Sequence, residues 1–270
     1  MENLTWRIID TGALPGPDNM AIDESLLCLF RPTFSDPILR IYGWNPPALS
    51  LGRFQRAEEV LDLKRCRSDS IPIIRRISGG GVIYHADEIT YSIVCSPEQI
   101  PGAASVKDSF RVLTGFLLKF YQTFGLDAAY ALDTASDTEQ LGVRTAFCFA
   151  GKESFDILIN GKKMGGNAQR RLKNTIFQHG SIPITNQALT GLGYMNDRSP
   201  TYAQGNTSLL ECGAPDDLGE LTDALIKGFK SCLGVDSYAC QLSHDEQRLS
   251  QQLLAAKYST DHWNLRGETA

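Results

Sequence analysis

The order in which two hydrophobic periods follow one another restricts this chain more than any single motif. Ile38 to Trp44, Leu49 to Gly52, Ile71 to Ile77, Phe155 to Ile159 and Thr175 to Ile184 are short apolar runs bounded by turn residues, as strands are. Ile89, Tyr91, Ile93 and Cys95 alternate with Thr90, Ser92 and Val94, the pattern of a half-buried strand. Among these stretches stands one clear helix, Ser105 to Phe124. Phe110, Leu113, Leu117, Phe120 and Phe124 keep its 3.6-residue period, and Ser105 with Asp108 marks its start. Asn19 to Phe30 gives an earlier helix. Leu218 to Leu233 and Ser243 to Tyr258 give two late ones, the second opened by the capping box of Ser243 and Glu246. Asp127 to Thr145 is polar and reads as a surface excursion. Strands gathered in the first two thirds and helices at the end predict an α+β fold. Its sheet is mixed and largely antiparallel, flanked by helices, rather than doubly wound and parallel.

Composition narrows the class. With 270 residues, 42% of them apolar, the chain can bury a core without covalent staples. A net charge of −5 and the absence of basic residues interleaved with aromatics argue against nucleic acid. No run of 18 apolar residues is present and Met1 to Trp6 is not a signal sequence, so no membrane association is expected. The seven cysteines, Cys28, Cys66, Cys95, Cys148, Cys212, Cys232 and Cys240, are odd in number and irregularly spaced. Neither a disulfide framework nor a metal site is expected, and a reducing cytoplasm fits best.

Three segments carry chemistry. In Arg75-Arg76-Ile77-Ser78-Gly79-Gly80-Gly81-Val82-Ile83-Tyr84-His85, three glycines let the backbone approach a ligand with its amides free for an oxyanion. Glycines alone favour a plain hairpin turn, and His85 alone a structural histidine; the two arginines before the turn and the histidine after it together tilt the reading toward a ligand loop. In Gly161-Lys162-Lys163-Met164-Gly165-Gly166-Asn167-Ala168-Gln169, a lysine beside glycines on a strand can aim at a carbonyl or phosphate oxygen, or simply sit at a solvated tip. Gln178-His179-Gly180-Ser181 follows on the next strand and can line the same place. Cys148 lies in a loop between Phe147 and Phe149, which suits a buried cysteine unless a cation stands near to favour its thiolate. The basic run Arg170-Arg171-Leu172-Lys173 suits a solvated turn or a dock for an acidic partner.

Together these segments resemble the lipoate–octanoate attachment family of the biotin/lipoyl ligase and transferase superfamily. The likeness rests on Arg75-Arg76-x-Ser78-Gly79-Gly80-Gly81-x-x-x-His85, then Asp156-Ile157 with Gly161, Lys163, Gly166, Ala168 and Gln169, then Gln178-His179-Gly180-Ser181. Trp6 to Asp10, Asn19 to Glu24, Tyr42-Gly43-Trp44 and Tyr258 to Asn264 extend it over nearly the whole chain. It looks most like the octanoyltransferases that load the glycine cleavage H protein. Those carry a cysteine about fifteen residues before the motif lysine, the spacing of Cys148 and Lys163 here. Asp87 to Ser92 is also closer to the transferases, whereas Ser78-Gly79-Gly80-Gly81 is nearer the ligases.

The resemblance implies one catalytic domain over residues 1–270 with no accessory C-terminal domain. It implies octanoyl transfer from octanoyl-acyl carrier protein to Cys148, and from there to a lysine of an apo lipoyl domain, on the glycine cleavage H protein or a dehydrogenase E2 component. Lys163 would hold the carbonyl oxygen and favour the Cys148 thiolate. Arg76, Ser78, Gly79, Gly80, Gly81, His85, Gly166, Ala168 and His179 would contact the substrate. No cofactor is implied. The alternative is an ATP- and magnesium-dependent lipoate–protein ligase in which Cys148 is a core residue; a non-catalytic binding protein of the same fold is the remote one. Because carrier proteins and lipoyl domains are usually acidic, Arg75, Arg76, Lys162, Lys163, Arg170, Arg171 and Lys173 are the expected positive dock.

Overall fold

The computed structural model describes residues 4–100, 102–103, 105–134, 141–142, 145–148 and 151–268. Among them are the strands β1 (Thr5–Leu14), β2 (Ile38–Trp44), β3 (Ala48–Leu51), β4 (Ile73–Arg75), β5 (Ile83–His85) and β6 (Glu88–Cys95). Then come β7 (Ala128–Tyr130), β8 (Ile157–Ile159), β9 (Lys162–Lys163), β10 (Gly166–Leu172), β11 (Thr175–Pro183) and β12 (Asp236–Ala239). The four longest helices are α1 (Gly16–Leu29), α2 (Val106–Thr123), α3 (Leu218–Leu233) and α4 (His244–Leu253).

The main sheet has the order β10-β11-β6-β2-β1-β12. β1 runs parallel to β2 and β12, while β2–β6, β6–β11 and β11–β10 are antiparallel. Smaller sheets, β4-β3-β5 and β7-β8-β9, add one parallel pair to three antiparallel ones. The sheet is thus mixed and largely antiparallel, with helices on both faces, as the order of periods predicts. One face meets α2 and α3 through Trp6, Leu39, Tyr91, Ile93, Phe116, Leu117, Leu225 and Phe229. The opposite face meets α1 through Ile9, Ile38, Leu26, Leu27 and Val94, and α4 through the Arg7–Glu246 pair at 2.6 Å.

Local signals hold where they are chemical. The Ser105 hydroxyl accepts from the Asp108 amide at 3.1 Å and starts α2. Asn160 and Gly161 both take positive φ, 52° and 74°, as a two-residue hairpin turn requires. Three expectations shift. β1 precedes every predicted strand; a register break between Asp10 and Ala13 spoils its alternation. The polar stretch from Asp127 holds β7 and a short helix, Ala131–Thr134, while residues 135–140 and 143–144 lie outside the described residues. β6 is buried at every position rather than half-buried. Its polar side chains meet protein instead of water: Ser92 Oγ donates to Asp23 Oδ1 at 2.7 Å, and Thr90 Oγ1 donates to Glu88. No helix among the described residues is long and apolar enough to cross a membrane.

Candidate active site

Strand register builds the floor of a cleft. Gly166 on β10 pairs with Ser181 on β11, Ser181 with Thr90 on β6, and Thr90 with Tyr42 on β2. Directly paired residues share a face, so this is one straight row across four strands. At about 4.8 Å per strand it spans about 14 Å. Ala168 and His179 continue the floor, and Trp44 stands two residues beyond Tyr42 on the same face. The small sheet supplies the other wall through Arg76, Gly79, Gly80, Ile83 and His85. The cleft between floor and wall is narrow, and its lining is mostly apolar.

The far end is aromatic and tightly bonded. Trp44 stacks on the His85 ring at 3.9 Å and 12°, and its Nε1 donates to Thr90 Oγ1 at 2.7 Å. Ser50 Oγ accepts from Arg76 Nη1 at 2.6 Å, so its own proton goes to His85 Nε2, also at 2.6 Å. That assigns the ring proton to Nδ1, which donates to Glu88 Oε1 at 2.8 Å. Glu88 Oε2 accepts from Ser181 Oγ at 2.8 Å, tying the network back to the floor. His179 Nε2 lies 2.6 Å from Ser78 Oγ. Burial first, then the positive charge of Arg76 and the neighbouring His85, push the His179 pKa well below its ordinary 6.5, so it is neutral at pH 7.

The glycine turn is clamped from within. Arg76 Nη1 donates to the Ser50 carbonyl at 2.8 Å, and Nη2 donates to the carbonyls of Gly79 at 3.1 Å and Gly81 at 2.9 Å. With those carbonyls turned inward, the amides of Gly79, Gly80 and Gly81 have no acceptor among the described residues. Gly80 has φ of 100°, and a Cβ on Gly52 would stand 2.0 Å from its carbonyl oxygen. Both positions therefore require glycine. Burial pulls the Arg76 pKa down to about 10, opposed by the charge of Cys148, and its Nε has no partner among the described residues.

Cys148 hangs beside this turn. Its amide donates to the Val82 carbonyl at 3.0 Å, and the preceding Phe147 bridges to Val82 in parallel. A Cβ on Gly81 would stand 2.6 Å from the Cys148 nitrogen, and one on Gly166 would stand 2.9 Å from its Sγ. The sulfur thus rests against the start of the floor row. A second, open basin is lined by Phe54, Gln55, Gly79, Gly80, Gly81, Thr145, Cys148, Gly151 and Glu153. Cys148, Gly79 and Gly80 border both spaces.

Lys163 departs from expectation. Its buried Nζ donates to the carbonyls of Cys148 at 2.9 Å and Gly151 at 3.0 Å, and pairs with Asp156 Oδ2 at 2.6 Å. All three protons are committed, and Lys163 does not line the cleft. It grips the backbone of the cysteine segment instead of pointing at a substrate carbonyl. Burial lowers its pKa, but the negative charges of Cys148 and Asp156 outweigh that, so the net shift is upward and it stays an ammonium.

Arg76, Gly79, Gly80, His85, Cys148, Gly166, Ala168 and His179 converge on the cleft, Gly81 faces the adjoining basin, and Ser78 stands behind His179. Phe149 lies outside the described residues. Sequence reasoning missed Thr90, Ile83, Asn167 and, as cleft walls, Tyr42 and Trp44. The polar half of β6 was the available signal. The expected positive dock is also reduced. Arg75, Arg76 and Lys163 are buried, while Lys162 and Lys173 are exposed and Arg170 and Arg171 half-buried. Among the described residues no cluster of three or more His, Cys, Asp or Glu is placed to hold a metal ion.

Comparison with known proteins fits this geometry. The family model of the lipoyl protein ligase A/B catalytic domain matches residues 15–230. An octanoyltransferase LipM of Symbiobacterium thermophilum is 36% identical over 97% of this chain and 98% of its own. The octanoyltransferase LipM of Bacillus subtilis is 32% identical over 98% of this chain and 100% of its own. A lipoate-protein ligase A crystallised with ATP superposes with a TM-score of 0.80 at 24% identity, covering 98% of this chain and 99% of that one. A putative lipoate protein ligase of Thermoplasma acidophilum with bound lipoic acid gives 0.82 at 23% identity, covering 97% and 99%. These two likenesses establish the fold. The chain belongs to the lipoyl protein ligase A/B catalytic family.

Proposed function

We propose that this family member is a cytoplasmic acyltransferase that moves an octanoyl group from octanoyl-acyl carrier protein, through a thioester on Cys148, to a lysine of an apo lipoyl domain. The acceptor is the glycine cleavage H protein or a dehydrogenase E2 component. The carrying observation is the place of the Cys148 sulfur, against Gly166 where the apolar cleft meets the open basin.

The Cys148 thiolate attacks the donor carbonyl. A sulfur–carbon bond forms, the bond to the carrier thiol breaks, and the departing thiolate takes up the proton that Cys148 gave away. The acceptor ε-amine, having shed a proton to solvent, then attacks the cysteinyl thioester. The amide bond forms, the carbon–sulfur bond breaks, and Cys148 regains a proton from the attacking nitrogen. The first exchange is nearly isoenergetic and amide formation drives the second, so neither ATP nor magnesium is required. The free amides of Gly79 and Gly80, held by Arg76 through the neighbouring carbonyls, receive the carbonyl oxygen as charge develops, about 3 kcal/mol for one such donor. Lys163 fixes the Cys148 carbonyl and keeps a positive charge beside the thiolate. The acyl chain lies along the row from Gly166 to Tyr42. Seven bonds of about 1.5 Å in a zigzag reach about 9 Å, less than the length of the row. Burying about seven carbons contributes about 5–6 kcal/mol of gross binding.

The test is intact-mass analysis after mixing with octanoyl-acyl carrier protein without ATP. An octanoyl adduct in the parent protein and none in Cys148→Ala is expected. No adduct in either, with octanoate- or lipoate-driven exchange between ATP and pyrophosphate, would establish a ligase instead. Silence in both assays would point to a binding protein.

A further inference from the structure

We propose that the turn Gly52 to Arg56 is the contact that holds the acceptor protein, with the exposed Phe54 ring as its anchor; this rests on the acyl-transfer reading above. Phe54 is 88% exposed. A single exposed apolar side chain is ordinary. This one differs in its support and its place.

The turn beneath it is rigid. The Gly52 amide donates to Gln55 Oε1 at 2.9 Å, the Gln55 amide donates back to the Gly52 carbonyl at 3.1 Å, and Gln55 Nε2 donates to the Ala146 carbonyl at 2.8 Å. From below, the wholly buried Arg75 sends Nη1 to the carbonyls of Gly52 at 3.0 Å, Arg53 at 3.2 Å and Gln55 at 2.6 Å. Arg75 is itself fixed by the carbonyls of Trp263 at 2.9 Å and Leu265 at 2.8 Å. An aromatic ring on such a platform loses little freedom on being covered, which is what an interface anchor needs.

Its place is the rim of the route to the nucleophile, since Phe54 and Gln55 line the basin that opens onto Cys148. Reach decides the occupant. A lysine amine on its four-carbon stem extends only about 6 Å from the backbone. To reach the Cys148 thioester, the acceptor must bring its own backbone to the mouth of the basin, whose lining includes Phe54. A donor with a long flexible arm can stand off. Among the described residues around the turn the charges nearly cancel. Arg53 lies over the Trp263 ring at 4.3 Å, Arg56 pairs with Glu58 at 3.7 Å and Glu59 at 3.1 Å, and Glu153 borders the basin. The fitting partner therefore presents an apolar spot beside its target lysine, with a polar border around it.

The test separates the two half-reactions. Cys148 is loaded from octanoyl-N-acetylcysteamine, a thioester with no protein attached, and the product is mixed with an apo lipoyl domain or with hydroxylamine. Phe54→Ala should slow discharge to the lipoyl domain about 30-fold, as loss of a central anchor does. Phe54→Trp should restore it, and loading and hydroxylamine discharge should be unchanged. Equal discharge of Phe54→Ala and parent protein to the lipoyl domain overturns the proposal. So does a parallel loss with hydroxylamine, which would mean that the turn merely shapes the mouth. Slowed loading from octanoyl-acyl carrier protein with normal discharge assigns the rim to the donor and also overturns it. Failure of the parent protein to take up octanoate on Cys148 from either thioester would instead remove the acyl-transfer reading itself.

Discussion

The two faces of β6 are equally buried and built on opposite rules. Ile89, Tyr91, Ile93 and Cys95 pack into the cluster of α2 and α3, where volume decides. Thr90 and Ser92, one residue out of phase, spend their hydroxyls on Glu88 and Asp23, where geometry decides. Burial alone does not distinguish scaffold from site; unspent chemistry does. On the first face atoms are exchangeable for others of like shape, while on the second the hydroxyls have named partners and the unspent donors lie across the cleft, in the amides of the glycine turn.

The widest separation of the two sides comes from pairing Cys148→Ala with Phe116→Ala. The first should abolish turnover and leave the melting temperature within about 2 °C. The second should cost about 3–5 kcal/mol, roughly 10 °C in a melt, with unchanged turnover per folded molecule. If Phe116→Ala lost turnover at full folding, the division would be wrong. Next comes a change on the polar side that behaves structurally. Asp23 accepts from Arg40 at 2.7 Å, Tyr42 at 2.9 Å and Ser92 at 2.7 Å. Asp23→Ala leaves Arg40 charged and buried, and should cost about 3–5 kcal/mol by denaturant titration. A smaller effect is expected at Gly166→Ala, whose Cβ displaces the sulfur. Acylation should slow about 100-fold with stability nearly unchanged; a normal rate would mean the sulfur does not rest there.

The gentlest probe is pH. Because folding holds His179 neutral, the unfolded chain binds a proton there below about pH 6.5 while the native one does not. The stabilisation is present above pH 6.5 and is lost, at up to about 1.4 kcal/mol per pH unit, as pH falls toward the depressed native value. In His179→Asn that part of the slope should vanish from a series of melts.

The legible features were those set by neighbours in sequence. The period in α2, the Ser105 cap and the Asn160-Gly161 turn fix their own backbone, and β2 runs from Ile38 to Trp44 as its apolar run does. The polar side of β6 misled because alternation reports only that two faces differ, not that the polar one meets water. β1 escaped notice because its bulge breaks the period. At the site, the glycine turn and Cys148 were legible as residue types. The direction of Lys163 was not, since it is dictated by Asp156 and by carbonyls twelve and fifteen residues back in the chain. Likewise the register that aligns Gly166 with Tyr42 exists only once four strands have paired.

The spent protons of Lys163 have one more consequence. An acylated cysteine with a free amine close by invites a sulfur-to-nitrogen shift, which would turn the acyl-enzyme into a permanent amide and end its working life. Lys163 is held as an ammonium with no lone pair to offer, its Nζ bound to Asp156 and two carbonyls. On the proposed acyl-transfer route, the grip that sets Cys148 in place would thus also keep Lys163 from taking the acyl group off it. Asp156→Asn should accumulate a dead-end octanoyl adduct that survives hydroxylamine, visible by peptide mass on Lys163.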